Sequence, residues 1–208
     1  MAAETGLPEF SDYVGELLDQ VPGSTVVEVG TDNVLRLAGN LASRCADYIA
    51  VTLPSDYSRA EFGYDMLGGH RSNIRLEACN ALDLSGVVTA ADFVIIHNVL
   101  LQLEEDDTAL MWRYRRGEIP CSDEQWNALV DKFREAEHRG FAEFCRVSAG
   151  GRVIDFRRTV LPEQEGLKEM LLEHGIARPE QLSVVQLAYD GGEATDAQWE
   201  ATIIDNRV

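Results

Sequence analysis

Three groups of residues in this sequence have the types and spacing to do chemistry. His97 closes an apolar run, Ala91-Asp92-Phe93-Val94-Ile95-Ile96, and is followed by Asn98. A histidine at the carboxyl end of an inner strand titrates at about pH 6.5 when unperturbed and is suited to take a proton as a general base. The second group is Trp112-Arg113-Tyr114-Arg115-Arg116, the dense basic stretch of the chain. Neighbouring helical positions are about 100° apart, so Arg113 and Arg116 share a face and Arg115 points elsewhere. Such a face can hold a carboxylate or phosphate beside Trp112, or it can pair with Glu104, Glu105, Asp106 and Asp107 on its own helix. The third group is Gly30, at the end of Thr25-Val26-Val27-Glu28-Val29. A glycine where a strand hands over to a helix places backbone N–H groups at the carboxyl edge of a sheet, where open α/β sheets bind ligands.

Strands and helices must alternate to position these groups, and the periodicities predict that they do. Thr25 to Val29 is too apolar for a strand with one wet face and reads as an inner strand. After Gly30 the spacing of Val34, Leu35, Leu37, Ala38, Leu41, Ala42 and Cys45 is helical, with Asp32 as its expected N-cap. Further strands are expected at Tyr48 to Val51, Ile74 to Cys79, Ala91 to Ile96 and Arg152 to Phe156, with a helix before the first strand carrying Phe10, Val14 and Leu18 inward. Leu182 to Tyr189 and Trp199 to Asp205 are joined by a polar segment too short for a crossover helix, which predicts an antiparallel hairpin. Between the fourth and fifth strands lie two predicted helices, one from about Asp106 to Arg116 and a longer one opened by a Ser122/Gln125 capping box. A crossover needs one of them, so 104–122 is expected to be a substrate-lid insertion. A last helix is expected from about Glu163 to His174, ended by Gly175.

Composition narrows the function. A chain of 208 residues with 45% hydrophobic content fits one α/β domain, 1–208. No apolar run approaches the roughly 20 residues that span a bilayer, and the first residues lack the pattern of a secretory signal, so a soluble cytoplasmic protein without a membrane partner is expected. A net charge of −18 opposes approach to nucleic acid. Cys45, Cys79, Cys121 and Cys145 have neither zinc-site nor disulfide spacing, so no metal is expected. His70, His138 and His174 read as solvated.

The motifs VVEVGT, ACNALDL, DFVIIHNVLLQL and GGRVIDF, in this order and closed by the hairpin, resemble the class I S-adenosylmethionine-dependent methyltransferases over essentially the whole chain. The resemblance implies a doubly wound, Rossmann-like α/β sheet, mostly parallel with a C-terminal antiparallel hairpin strand. It implies S-adenosylmethionine as cofactor, with Glu28, Gly30 and Asp32 at the first turn, Thr52 after the second strand, Asn80 and Ala81 after the third, and His97 and Asn98 after the fourth. The family's E-x-G-x-G-x-G reads here Glu28-Val-Gly30-Thr-Asp32-Asn-Val34, so only the acid and the first glycine match. Asp32 adds bulk and negative charge where the second glycine stands, and Thr52 replaces the acid that accepts from the ribose hydroxyls.

The function this implies is transfer of a methyl group to a small molecule in a biosynthetic pathway, with His97 as base and with Trp112, Arg113 and Arg116 on the substrate. That substrate is anionic if the arginine face looks into the cleft. The degenerate glycine motif leaves two alternatives open: a non-methylating reaction on the same fold, such as a cyclisation or elimination, and a non-catalytic partner subunit that has lost the cofactor. A nicotinamide enzyme is disfavoured because G-x-G-x-x-G is absent after the first strand.

Overall fold

The structure is a computed structural model and describes residues 7–31, 35–66, 72–97, 105–158, 166–189 and 199–208. Seven strands form one sheet: β1 Thr25–Val29, β2 Asp47–Thr52, β3 Ile74–Ala78, β4 Phe93–His97, β5 Arg152–Arg158, β6 Leu182–Leu187 and β7 Trp199–Asp205. The helices are α1 Phe10–Asp19, α2 Arg36–Leu41, α3 Tyr57–Met66, α4 Glu105–Arg115, α5 Asp123–Val147 and α6 Leu167–Glu173.

The strand order is β3-β2-β1-β4-β5-β7-β6. The first five strands are parallel, and β7 lies antiparallel between β5 and β6. The doubly wound sheet with its terminal antiparallel hairpin is therefore the one the motifs imply. The direction of winding reverses between β1 and β4, which leaves a crevice at the carboxyl ends of these two neighbours. Val29 pairs with Ile96 across that boundary, so Gly30 and His97 flank the crevice.

Both sheet faces are covered, which is why β1, β2 and β4 read as continuous apolar runs. Tyr48, Phe93, Ile95, Ile154 and Phe156 face the core shared with α1 and α2, where Phe10, Val14, Leu18, Leu37 and Leu41 are buried. Val27, Val51, Val94, Ile96 and Val153 face α5 and α6, against Phe141, Phe144, Val147 and Leu171. The starts of three strands are clipped together by Asp92. Its carboxylate accepts from the Thr25 N–H at 2.8 Å, and its carbonyl accepts from the Arg152 N–H at 2.8 Å. A Cβ on Gly151 would sit 2.2 Å from that carbonyl oxygen, so only glycine fits at this position.

Two helix starts differ from the sequence reading. The helix after β1 begins at Arg36, with Leu35 at the cap position in the left-handed region at φ 47°. Asp32 is thus not the N-cap of α2, and it lies with Asn33 and Val34 outside the described residues. The apolar spacing from Val34 onward suggested an earlier start, but a left-handed residue cannot continue an α-helix. Likewise α6 begins at Leu167 rather than near Glu163, because Gly166 precedes it at φ 94°. The Ser122/Gln125 capping box has both of its hydrogen bonds, at 2.9 and 3.2 Å.

α5 is 25 residues long and outruns the sheet. Glu137, midway along it, pairs with Arg157 near the carboxyl end of β5 at 2.7 Å. The part of α5 from Asp123 up to that contact therefore reaches as much as about 20 Å past the sheet edge, at 1.5 Å per residue. That projection carries α4. Lys132 on α5 binds both carboxylate oxygens of Asp107 on α4, and the Arg115 guanidinium lies 5.4 Å from the ring of Trp112 and 6.0 Å from that of Trp126.

Candidate active site

β1 delivers the Glu28 carboxylate to the sheet interior, where it is 1% exposed and accepts a 2.8 Å hydrogen bond from the hydroxyl of buried Tyr48 on β2. Gly30 follows with φ 79°, a conformation in which any other residue is strained. The N–H groups of Gly30 and Thr31 both donate to the Val51 carbonyl, at 3.0 and 3.3 Å. This corrects the expected anion cradle. The two amides are consumed in joining β1 to β2, and α2, of six residues, begins only at Arg36. Thr31 Oγ1 is buried beside the crevice with no hydrogen-bond partner among the described residues. The sequence reading missed Thr31, although it lies between the two positions that reading singled out.

Thr52 ends β2 as a buried residue, and its carbonyl accepts from the Cys79 N–H at 3.0 Å, which ties the β2 and β3 ends together. Asn80 is exposed, and its amide oxygen accepts from the Leu82 N–H at 3.0 Å, an Asx turn that leaves the amide NH2 free of that bond. Ala81 beside it is half-buried. Gly30, Thr52, Asn80, Ala81 and His97 therefore all end at the carboxyl edge of the sheet, with Glu28 turned into the sheet interior beneath them. Asn98, like Asp32, lies outside the described residues.

His97 is half-buried and set in a layer of rings. Its imidazole lies 5.7 Å from each of Phe10, Phe156 and Tyr189, tilted by 3°, 8° and 12°. Phe10 stacks on Phe156 at 4.1 Å, and Trp199 lies 5.2 Å from Phe156 and 4.7 Å from Tyr189. Each ring comes from a different element or its flank. Sequence reasoning missed the assembly, and the available signal was that the expected fifth strand closes on Phe156 while the hairpin strands carry an aromatic at each inner end.

On α4, Arg113 and Arg116 both turn to the Glu118 carboxylate, at 3.9 and 2.6 Å. They do share a face, and Arg115 is turned away between the two tryptophans. His174 is exposed, as expected, and His138 is half-buried, their rings 4.5 Å apart between α5 and α6, while His70 lies outside the described residues.

On the other sheet face, behind the rim, Arg157 is 3% exposed and ion-paired to Asp155 and Glu137. Burial pushes the Asp155 carboxyl up to about 6, with the Arg157 guanidinium pulling it the other way. A cavity of about 340 Å³ lined by Thr25, Asp47, Arg75 and Thr89 opens at the opposite, amino edge and faces away from this chemistry. Among the described residues there is no cluster of metal-ligating side chains. No helix among them is long and apolar enough to cross a membrane.

No family model and no curated protein sequence matches the chain. Among solved structures it is similar to the N-methyltransferase NodS from Bradyrhizobium japonicum WM9 in complex with S-adenosyl-l-homocysteine. The TM-score is 0.56 at 15% identity, over 95% of this chain and 88% of that one. The chain has the class I methyltransferase fold. A SAM-dependent methyltransferase from Aquifex aeolicus shares that fold at a TM-score of 0.56 and 12% identity, over 95% and 90% of the two chains. TrmN from Thermus thermophilus shares it at a TM-score of 0.53 and 15% identity, over 94% of this chain. The chain spans about half the length of the longer structures it matches, 48% of TrmN and 45% of another. At these identities the likeness is one of methyltransferase fold.

Proposed function

We propose that the chain is an S-adenosylmethionine-dependent methyltransferase acting on a small molecule in a biosynthetic pathway. The observation that carries this reading is the buried Thr31 hydroxyl, without a hydrogen-bond partner among the described residues, one residue past the left-handed Gly30 at the end of β1. A hydroxyl both donates and accepts, so it suits the methionine end of the cofactor, which carries an ammonium and a carboxylate. The residues present fit the group. Glu28 and Thr31 serve the methionine end with Gly30 and Asp32, Thr52 serves the ribose, Asn80 and Ala81 serve the adenine, and His97 and Asn98 close the site toward the acceptor. When bound, the cofactor supplies an electrophilic methyl on a sulfonium.

The chain itself holds the acceptor in line, excludes water and removes a proton. His97 is the base, its imidazole plane fixed by the surrounding rings, and proximity supplies most of the rate. The 104–122 segment, carried on the projecting end of α5, is the lid. Arg113 and Arg116 converge there on one carboxylate, that of Glu118, and an acidic group on the acceptor takes its place beside Trp112. The net charge of −18 supports a small molecule over a nucleic acid. Calorimetric titration with S-adenosylhomocysteine tests the reading. We expect a dissociation constant in the micromolar range, and no heat at millimolar ligand would refute it.

A further inference from the structure

We propose that the acceptor is a planar aromatic molecule that stacks on a wall formed by His97, Tyr189 and Trp199. The inference rests on the methyltransferase reading above and names its substrate class. Phe10 and Phe156 are fully buried and form the floor of the ring layer, whereas His97, Tyr189 and Trp199 are each half-buried. All five rings belong to the carboxyl edge. His97 is level with Phe156 in the register, and Trp199 pairs with Arg158 and with Leu187, two residues before Tyr189. The wall thus begins beside Gly30, at the end of the cofactor crevice, and leads away from it along the strand ends.

The orientation of the rings decides the ligand. Aromatic pairs packed for burial meet either offset-stacked or edge to face, as Phe141 and Phe144 do in the opposite core at 74°, so a set of several pairs usually mixes plane directions. Here the five contacts among Phe10, His97, Phe156 and Tyr189 are all within 14° of parallel, and Trp199 is tilted by 21° from Phe156 and 32° from Tyr189. A common plane direction over several rings lets one more flat ring join the layer with its edge substituent beside His97. An aliphatic acceptor gains nothing from it.

The test uses three probes of one site, 2-naphthol, its saturated analogue decahydro-2-naphthol, and tetramethylammonium. Each is titrated calorimetrically into the full chain with and without saturating S-adenosylhomocysteine. We expect 2-naphthol to bind at least about 10-fold tighter than decahydro-2-naphthol, with no heat from tetramethylammonium. Trp199→Leu should lose that preference and Trp199→Phe should keep most of it, while both retain native S-adenosylhomocysteine affinity, which certifies that they fold. Equal affinity for the saturated analogue, or a preference that survives Trp199→Leu, overturns the aromatic acceptor and leaves the methyltransferase reading standing. Tighter binding of tetramethylammonium overturns it in favour of a cation site. Absence of S-adenosylhomocysteine heat in the native chain removes the methyltransferase reading and this acceptor with it.

Discussion

Replacing Arg157 with methionine keeps the volume of the side chain and removes its charge from a site where two carboxylates depend on it. Asp155 is 1% exposed and Glu137 is mostly covered, and the only cation paired with either among the described residues is Arg157. Breaking a buried ion pair from one side typically costs about 3–5 kcal/mol, because the partner's charge is left without compensation. For a chain of this length that corresponds to a drop in Tm of roughly 6–20 °C. The pH dependence makes the prediction specific. In the native protein the Asp155 carboxyl is already raised to about 6, above its unfolded value, so the folded state binds the extra proton and stability falls as pH climbs from about 4 to 6. Without the guanidinium the carboxyl rises further. The variant then gains more than the native chain from protonation between pH 7 and pH 5, and the deficit should narrow by about 1 kcal/mol. Urea unfolding of Arg157→Met at the two pH values measures this, and Arg157→Met/Asp155→Asn should recover part of the loss at pH 7. A cost below about 1 kcal/mol, or one that does not change with pH, would refute the buried triad as a charge-compensated unit.

His97→Gln should lower kcat by about 100-fold or more while S-adenosylhomocysteine affinity stays within about threefold, and the ascending limb of the pH–rate profile should disappear; a variant with native rate and native pH dependence would make His97 a packing residue. Arg113→Gln/Arg116→Gln should raise the KM of an acidic acceptor by about 10-fold and spare cofactor affinity. Arg115→Ala should instead cost about 1 kcal/mol of stability through the lost tryptophan contacts. Equal effects on KM from all three arginines would mean that the patch is a solvated helix face.

What could be read in advance follows the range of the interactions. The apolar runs of β1 and β4, the Ser122/Gln125 capping box and Gly175 in its left-handed conformation are fixed by neighbours within a few residues, and each is legible locally. The burial of Asp155 and Arg157 was not, because alternation along β5 cannot reveal that Glu137 arrives from a helix to complete the pair. The start of α2 was misread for a related reason. Hydrophobic spacing continues through Leu35, but that residue stands in the left-handed region at φ 47°, which spacing alone does not reveal. Of the candidate site, the residues at strand ends were placed by motif order, whereas Thr31 became visible only as a buried oxygen without a partner among the described residues.

The ring layer draws on positions 10, 97, 156, 189 and 199, almost the full span of the sequence. Its first member is held there by Phe10 N–H donating to the Ala188 carbonyl at 3.1 Å, while Ala188 N–H donates back to Pro8 at 2.9 Å. Contacts of such sequence separation carry a large loop-closure cost and form late in folding. A chain that has folded through β5 but not yet docked its hairpin would have a formed β1 turn and no acceptor wall. Cofactor recognition and acceptor recognition would then switch on at different moments of biosynthesis, and the emission of Trp199 would report completion of the second.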